Sequence, residues 1–487
     1  MTARGVVTRG PRFVGRLEEA LKVRPTRLIA TILGGAVPLA LVRGYLDGTA
    51  PLPHAALATA LAALLVATLG SRRAAAGSVL RAGYYVGLLG FLLVYPLYFP
   101  GDLRPARDAA RETAGWCLVL GVVGFELGYW VYRRPTRWNL ALRPGRRLER
   151  WLWRAISLAV GFWALSIYDV MQASGGGLDD VLLTMRGQVQ GEGGSGVSML
   201  GYLGVFTGAA SFAGATAACL LLAIGRRTSL AGRAVLWAAL LVCAYGGFVA
   251  GSRGVFAFAA MPLVAALWRR FGLHRPEVSR TRVAAVALGA VLAVAVAWYL
   301  QSSLRGGDVR RQWDRAVEGG FRAGQHAEGA FHVFWALELV VDGFPDRIPY
   351  EYGRSLVPVV LGWVPRPLWP GKPYPFSQHA TTLLGETQER RSASIACTVL
   401  GEGYGNFGLL GVVLWTALFG FAARRGDEAL QGMDPSHPSH VQLCGMGAAW
   451  CALLVRGGVA EIFYMGFFPV LLSVVILVAV SRLSGPR

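Results

Sequence analysis

Cationic and aromatic side chains alternate with prolines in one short stretch of the chain. Residues 364–376, VPRPLWPGKPYPF, contain five prolines, with Arg366 and Lys372 between them. Because each proline removes a backbone donor and fixes φ, the stretch fits neither a helix interior nor a central strand. Arginine offers a planar fork that binds phosphate oxygens in pairs and stays charged. We therefore predict a stiff loop that presents cations to a multivalent anion.

Two residues that follow could accept a proton from a hydroxyl group, the work of a general base in group transfer. They are His379 in FSQHATTLLGE and Glu402 in LGEGYGN. A lone histidine in such a position is more often a hydrogen-bonded structural residue, so the assignment of the base stays open. His326, His332, Glu386 and Glu389 are further candidates in the same region. We predict no metal and no cofactor, because no cysteine pair or histidine pair has a further ligand nearby.

The composition is that of an integral membrane protein. Of 487 residues, 54% are hydrophobic and 16% are charged, whereas soluble chains average about 25% charged residues. The apolar residues fall in stretches near the length of a membrane-spanning helix. The net charge of +20 is spread over short segments between these stretches, which indicates topology marking. Nucleic-acid binding, which would gather the arginines on one soluble domain, is therefore not expected.

Twelve apolar segments predict an all-α polytopic fold. Basic clusters fall between alternate segments, so the positive-inside rule places both termini in the cytoplasm. The first 27 residues lack a short apolar core, so no cleaved signal peptide is expected. The predicted spans are residues 28–45, 54–70, 80–98, 114–132, 152–171, 198–224, 234–250, 254–268, 283–301, 403–422, 440–456 and 462–481.

These spans divide the chain into four parts. Residues 1–27 form a basic cytoplasmic arm, residues 28–301 hold nine spans, residues 302–402 form one large periplasmic loop, and residues 403–482 hold the last three spans. Within the loop, residues 327–341 have the spacing of a helix lying at the membrane interface. Residues 355–364 are apolar but too short to cross, so they fit a re-entrant or interfacial segment.

Arg253 and Arg456 lie at tight turns between predicted spans on the same outer side as this loop. A charge at a membrane boundary is costly unless it is paired or used. One interpretation is that these side chains, like the loop arginines, reach anionic lipid headgroups. The other is that they bind a lipid-linked pyrophosphate, whose departure in a transfer reaction builds charge that fixed cations stabilise.

Three motifs resemble the oligosaccharide repeat-unit polymerases, the Wzy-type O-antigen and exopolysaccharide polymerases. They are GSRG at 251–254, VPRPLWPGKP at 364–373 and LGEGYGNFGLLGVVLW at 400–415. In that family a proline-rich element precedes a G-E-x-Y-x-N-F-G-x-x-G element that opens the next span, and both occur here in that order. The resemblance covers roughly residues 150–480.

The resemblance implies a GT-C-like fold and a metal-independent, inverting glycosyltransferase of the inner membrane. Such an enzyme moves a growing glycan from undecaprenyl pyrophosphate to a new lipid-linked repeat unit at the periplasmic face, and a partner protein regulates chain length. It implies glycan or pyrophosphate contacts by motif and loop residues, and Glu402 either as the base or as a residue that orients it. The implied contacts are Arg253, Arg366, Lys372, Tyr404 and Asn406, with Arg305 and Arg322 as looser correspondences. Arg354 and Arg456 are predicted as further contacts of the same ligand.

Two other functions compete with a polymerase. An O-antigen ligase has the same architecture and transfers finished glycan to lipid A core. A flippase or transporter for lipid-linked oligosaccharide is of a different class, and it would carry charged side chains within its spans. Here the predicted spans hold few charges and the charge lies in the outer loop, which favours a transferase.

Overall fold

The computed structural model describes a little under half of the chain. The described residues are 78–94, 108–131, 146–174, 212–223, 229–249, 253–271, 333–361, 369, 371–380, 383, 396–433, 438–463, 471 and 475. The basic arm and the predicted spans 28–45, 54–70 and 283–301 lie outside them. So do Arg305, Arg322 and Arg366.

All regular structure in the described part is helical, which confirms the all-α prediction there. The helices are α1 (Val79–Gly87), continued by a π-helix (Leu88–Val94), α2 (Asp108–Val131), α3 (Arg146–Ser174), α4 (Phe212–Ala223), α5 (Leu230–Val249), α6 (Arg253–Arg270), α7 (Val333–Gly343), α8 (Val357–Leu361), α9 (Phe376–Ala380), α10 (Val399–Gln431), α11 (Pro438–Arg456) and α12 (Val459–Ile462), with a 3₁₀ turn at Arg354–Leu356.

Two of these helices are long and apolar enough to cross a membrane: Ala109–Val131 within α2, and α10. Each exposes large apolar side chains, as a lipid-facing helix does. On α10, Leu410, Leu414 and Leu418 recur every four residues and are 64%, 50% and 59% exposed. This spacing places them on one helix face. The twelve spans predicted for the whole chain stay a prediction.

The predicted spans begin and end in the wrong place at several points, because polar flanks continue the helices beyond their apolar centres. The span predicted at 114–132 belongs to a helix that begins at Asp108, and the one at 403–422 belongs to a helix of Val399–Gln431. The short helices expected within residues 302–402 are present as α7, α8 and α9.

Helix α10 is broken near its start. Phe407 and Gly408 have non-helical backbone angles, and the φ of +62° at Gly408 is one that glycine adopts without steric cost. The first segment, residues 399–406, folds back against the second, since a Cβ on Gly411 would lie 2.0 Å from the carbonyl oxygen of Gly403. The second segment, residues 409–431, is still about 34 Å long at 1.5 Å per residue.

Close helix contacts depend on glycines spaced four apart. Gly124 and Gly128 of α2 face α10, and a Cβ on Gly128 would lie 1.8 Å from the carbonyl oxygen of Ala417. Gly83 of α1 likewise meets the backbone of α11 at Ala448. Small residues at this spacing let helix backbones approach closely where the hydrophobic effect does not drive association, as between membrane helices.

The contacts sort the helix ends into two groups. At one end, called here the site end, the start of α10 meets the end of α11, where the N–H of Thr398 donates to the carbonyl of Arg456 at 3.2 Å. At the opposite end, Arg81 of α1 donates to Glu126 of α2 at 2.8 Å. The carboxylate of Asp427 in α10 accepts from the N–H of Leu80 at 2.9 Å. This second network ties the start of α1 to the ends of α2 and α10.

Candidate functional site

The first segment of α10 is fixed at its start by a threonine cap. The side-chain oxygen of Thr398 accepts the N–H of Gly401 at 2.8 Å, which satisfies a donor that a helix start leaves without a partner. Since Thr398 is also bonded to Arg456 through its backbone, the LGEGYGN motif begins at a defined point of the bundle.

Glu402 lies fully buried inside this arrangement. Its two carboxylate oxygens accept the hydroxyl of Ser355 at 2.8 Å and the N–H of Val459 at 2.6 Å. One carboxylate thus joins the loop before α8 to the start of α12. The sequence left two roles open for Glu402, and this burial favours orientation of the site over direct proton transfer.

Asn406 uses both ends of its amide within the same core. Its nitrogen donates to Ser355 Oγ at 2.9 Å and to the carbonyl of Glu402 at 2.7 Å, while its oxygen accepts the N–H of Gly353 at 2.7 Å. Tyr404 is buried too, with its ring against that of Tyr350. The glycan contacts that the resemblance implied for Asn406 and Tyr404 stay a prediction. Asn406 shapes the neighbouring loop.

The break in α10 leaves two backbone carbonyls that bond to the loop at residues 351–354. Where a helix ends, its last carbonyls need hydrogen-bond donors from elsewhere. Here the carbonyl of Gly405 accepts the N–H of Glu351 at 2.9 Å, and the carbonyl of Asn406 accepts the N–H of Tyr352 at 3.3 Å. We call residues 351–354 the seated loop. The motif therefore acts as a platform for residues that lie about 50 positions earlier in the chain.

Glu351 of the seated loop pairs with His379 of α9. Nδ1 of the imidazole contacts the Glu351 carboxylate directly. The histidine side chain is 33% exposed and the carboxylate 7%. A buried carboxylate that orients a partly exposed imidazole is the arrangement of a general base held in one tautomer. His379 was predicted as a catalytic candidate, whereas Glu351 was missed, because no local spacing links residues 28 positions apart.

Arg354 places a cation beside this pair. Its N–H donates to the carbonyl of Glu351 at 2.9 Å, and its side chain is exposed. No carboxylate among the described residues forms an ion pair with it. Arg347, in contrast, is paired with Asp342 at 3.0 Å in the preceding turn. Arg354 is thus available to an anionic ligand at the site end.

The remaining predicted cations are placed in part. Lys372 is half-buried in a turn where its N–H donates to the carbonyl of Trp369 at 3.0 Å. The Arg456 side chain is half-buried at the end of α11. Arg253 begins α6, which packs against α11 where Met261 meets Gly445. The Arg253 side chain is outside the described part.

An ion pair at the site end was also not predicted from the sequence. Nε of Arg111, in the first turn of α2, donates to the buried carboxylate of Glu338 at 3.1 Å. Within the described part of the chain, the other carboxylate oxygen of Glu338 has no hydrogen-bond partner. Burial raises the pKa of Glu338, and the bond to Arg111 opposes that rise in part. The pair joins α2 to α7 beside the first segment of α10.

Comparison with known proteins leaves the site to be interpreted from its own geometry. No protein-family model, curated protein or solved structure matches the chain. The likeness to repeat-unit polymerases therefore depends on the three motifs alone.

Proposed function

We propose that the chain is an inner-membrane glycosyltransferase that polymerises undecaprenyl-pyrophosphate-linked repeat units into O-antigen, capsule or exopolysaccharide. Both termini would lie in the cytoplasm and the site end would face the periplasm. The observation that carries the proposal is the Glu351–His379 pair beside the exposed Arg354. Glu351 is bonded through its N–H to the LGEGYGN platform at one end of an apolar helical bundle, and the other two residues contact Glu351.

The groups of the site match the needs of sugar transfer. An acceptor hydroxyl attacks the anomeric carbon of the donor glycan, the new C–O bond forms, and the bond to the pyrophosphate oxygen breaks with inversion. His379 takes the hydroxyl proton, and the Glu351 carboxylate stabilises the imidazolium that results. The pyrophosphate leaves with the electron pair of the broken bond.

Arg354 is placed to stabilise that leaving charge. A guanidinium fixed in advance needs no rearrangement when negative charge develops. Arg253, Arg366, Lys372 and Arg456 are the other cations proposed for the pyrophosphates. In this scheme Glu402 and Asn406 are positioning residues, since they act through the seated loop.

The test is glycan length on a gel, in a deletion strain that carries the wild-type gene or a variant. We expect single repeat units in the deletion strain and a full ladder with wild type. His379→Ala should lose the ladder, because removing a general base slows transfer by about 10²-fold or more. Glu351→Gln should shorten it, and Arg354→Ala should abolish it or reduce it to a few rungs.

Arg347→Ala is the matched control for Arg354→Ala. It removes an exposed arginine from the turn just before the seated loop. The surface ion pair of Arg347 with Asp342 contributes little to stability, so a normal ladder is expected. Full-length polymer left on undecaprenyl pyrophosphate in the deletion strain would identify a ligase. Repeat units trapped on the cytoplasmic side would identify a flippase, and a normal ladder with His379→Ala would remove His379 from the mechanism.

A further inference from the structure

The seated loop turns tightly in a conformation that its sequence does not favour. The N–H of Arg354 bonds to the carbonyl of Glu351, and the two residues between them both have positive φ, +48° at Tyr352 and +86° at Gly353. Such turns select glycine, asparagine or aspartate at both central positions. Gly353 fits, but a bulky aromatic at Tyr352 is uncommon there. The tyrosine is therefore retained against the local backbone preference.

The platform holds this strained residue in place from two sides. The carbonyl of Asn406 accepts the Tyr352 N–H, and the side-chain oxygen of Asn406 accepts the Gly353 N–H. Strain maintained by surrounding hydrogen bonds is typical of functional sites. In this molecule the hydrogen bonds come from the motif that also seats Glu351.

The Tyr352 ring is fixed in direction and yet open to solvent. It meets the rings of Tyr350 and Phe407 edge-on, with centroids 6.2 and 6.0 Å away and interplanar angles of 80° and 69°. Nevertheless Tyr352 is 72% exposed. Tyr350 and Phe407 are half-buried, so these contacts orient the Tyr352 ring while most of its surface stays open. Its position next to Glu351 places it beside the His379 pair.

We propose that the ring of Tyr352 stacks against the sugar ring that presents the acceptor hydroxyl. A tyrosine ring has an electron-rich face, and a pyranose presents a row of C–H bonds of opposite polarity along one side. A rigid aromatic offers this contact area at low entropic cost, since only two side-chain torsions must be fixed. The ring would hold the acceptor sugar over the site, with its hydroxyl directed to His379.

This subsite rests on the proposed polymerase function, so its test keeps the two apart. The assay uses full-length protein in liposomes, with lipid-linked single repeat units from the deletion strain as acceptor and a fixed amount of preformed lipid-linked polymer as donor. The assay measures the apparent KM for the acceptor and kcat, and each is compared between variants. If wild-type protein does not elongate the glycan at all, the proposed function itself fails.

Tyr352→Gly separates the sugar contact from folding. Glycine suits the positive φ, so this variant should unfold at the wild-type temperature or above it. Its apparent KM for the acceptor should nevertheless rise about five- to tenfold, the scale of a lost aromatic contact. Tyr352→Phe keeps the ring face and should stay within about twofold of wild type.

Two further variants decide between a sugar and lipid as the occupant. Tyr352→Leu keeps an apolar side chain without a ring, so an acceptor KM like that of wild type would mean a membrane contact and would overturn the proposal. Tyr168, an exposed tyrosine of α3 that is 60% exposed, supplies the control. Tyr168→Leu should leave KM and kcat unchanged, and an equal rise in both leucine variants would also overturn a specific subsite.

Discussion

Replacement of Glu402 tests whether this residue positions the site or transfers protons. In Glu402→Gln the side chain keeps one acceptor oxygen, but its new NH₂ group faces one of two donors, the Ser355 hydroxyl or the Val459 N–H. A buried donor left without a partner costs about 1–3 kcal/mol, and a bond to a charged acceptor is worth about 1.5–3 kcal/mol. We expect Glu402→Gln to lower the free energy of unfolding by about 2–3 kcal/mol. Glu402→Ala leaves both donors unpaired and should lower it by about 3–5 kcal/mol.

The assay compares apparent unfolding temperature with glycan length. Protein in detergent is heated, and the fraction that remains monodisperse on gel filtration is measured. Both variants should unfold several degrees below wild type, and glycan length should recover in part for Glu402→Gln at lower growth temperature. Glu112→Gln, at an exposed position of α2, should match wild type. If Glu402→Gln unfolds like wild type but makes no polymer at any temperature, Glu402 is the base and the positioning role is refuted.

Two other perturbations test the bundle itself. Gly128→Ala should lower the unfolding temperature, because its Cβ would meet the Ala417 backbone at 1.8 Å and overpacking costs about 1–3 kcal/mol. The control is Gly161→Ala in α3, where the added Cβ has no described atom within 4 Å beyond its own stretch of helix. This variant should be neutral or stabilising. Since burial raises the pKa of Glu338, the folded chain holds this proton more tightly than the unfolded chain, and stability should fall as pH rises above the ordinary glutamate range. Glu338→Gln should flatten that part of a plot of unfolding temperature against pH, and an unchanged slope would show that Glu338 does not titrate there.

The platform also explains why the motif and the chemistry are separate in the chain. The residues that the resemblance marks most strongly, Glu402 and Asn406, are buried and make hydrogen bonds to backbone and to Ser355. The proposed base His379 and its partner Glu351 lie in segments with no distinctive pattern. A motif can therefore identify a scaffold whose function is to place less conspicuous side chains.

The sequence by itself determined the helical class and the approximate positions of most described helices. Apolar periodicity and the scarcity of charge are local properties, so α2, α5, α6, α10 and α11 could be located without any knowledge of their neighbours. Residue type selected His379 and the cations of residues 302–402 as candidates. Apolar periodicity placed helix ends poorly, since polar residues that continue a helix look like loop.

Tertiary structure alone decided which of those candidates meet. The Glu351–His379 pair joins residues 28 positions apart, the Arg111–Glu338 pair joins residues 227 apart, and the burial of Glu402 depends on Val459. For Glu351, the break at Gly408 folds one helical segment back and leaves the carbonyls of Gly405 and Asn406 to bond the loop that carries it. Hydrogen bonds of this kind are set by the relative placement of whole elements, which spacing along the chain does not encode.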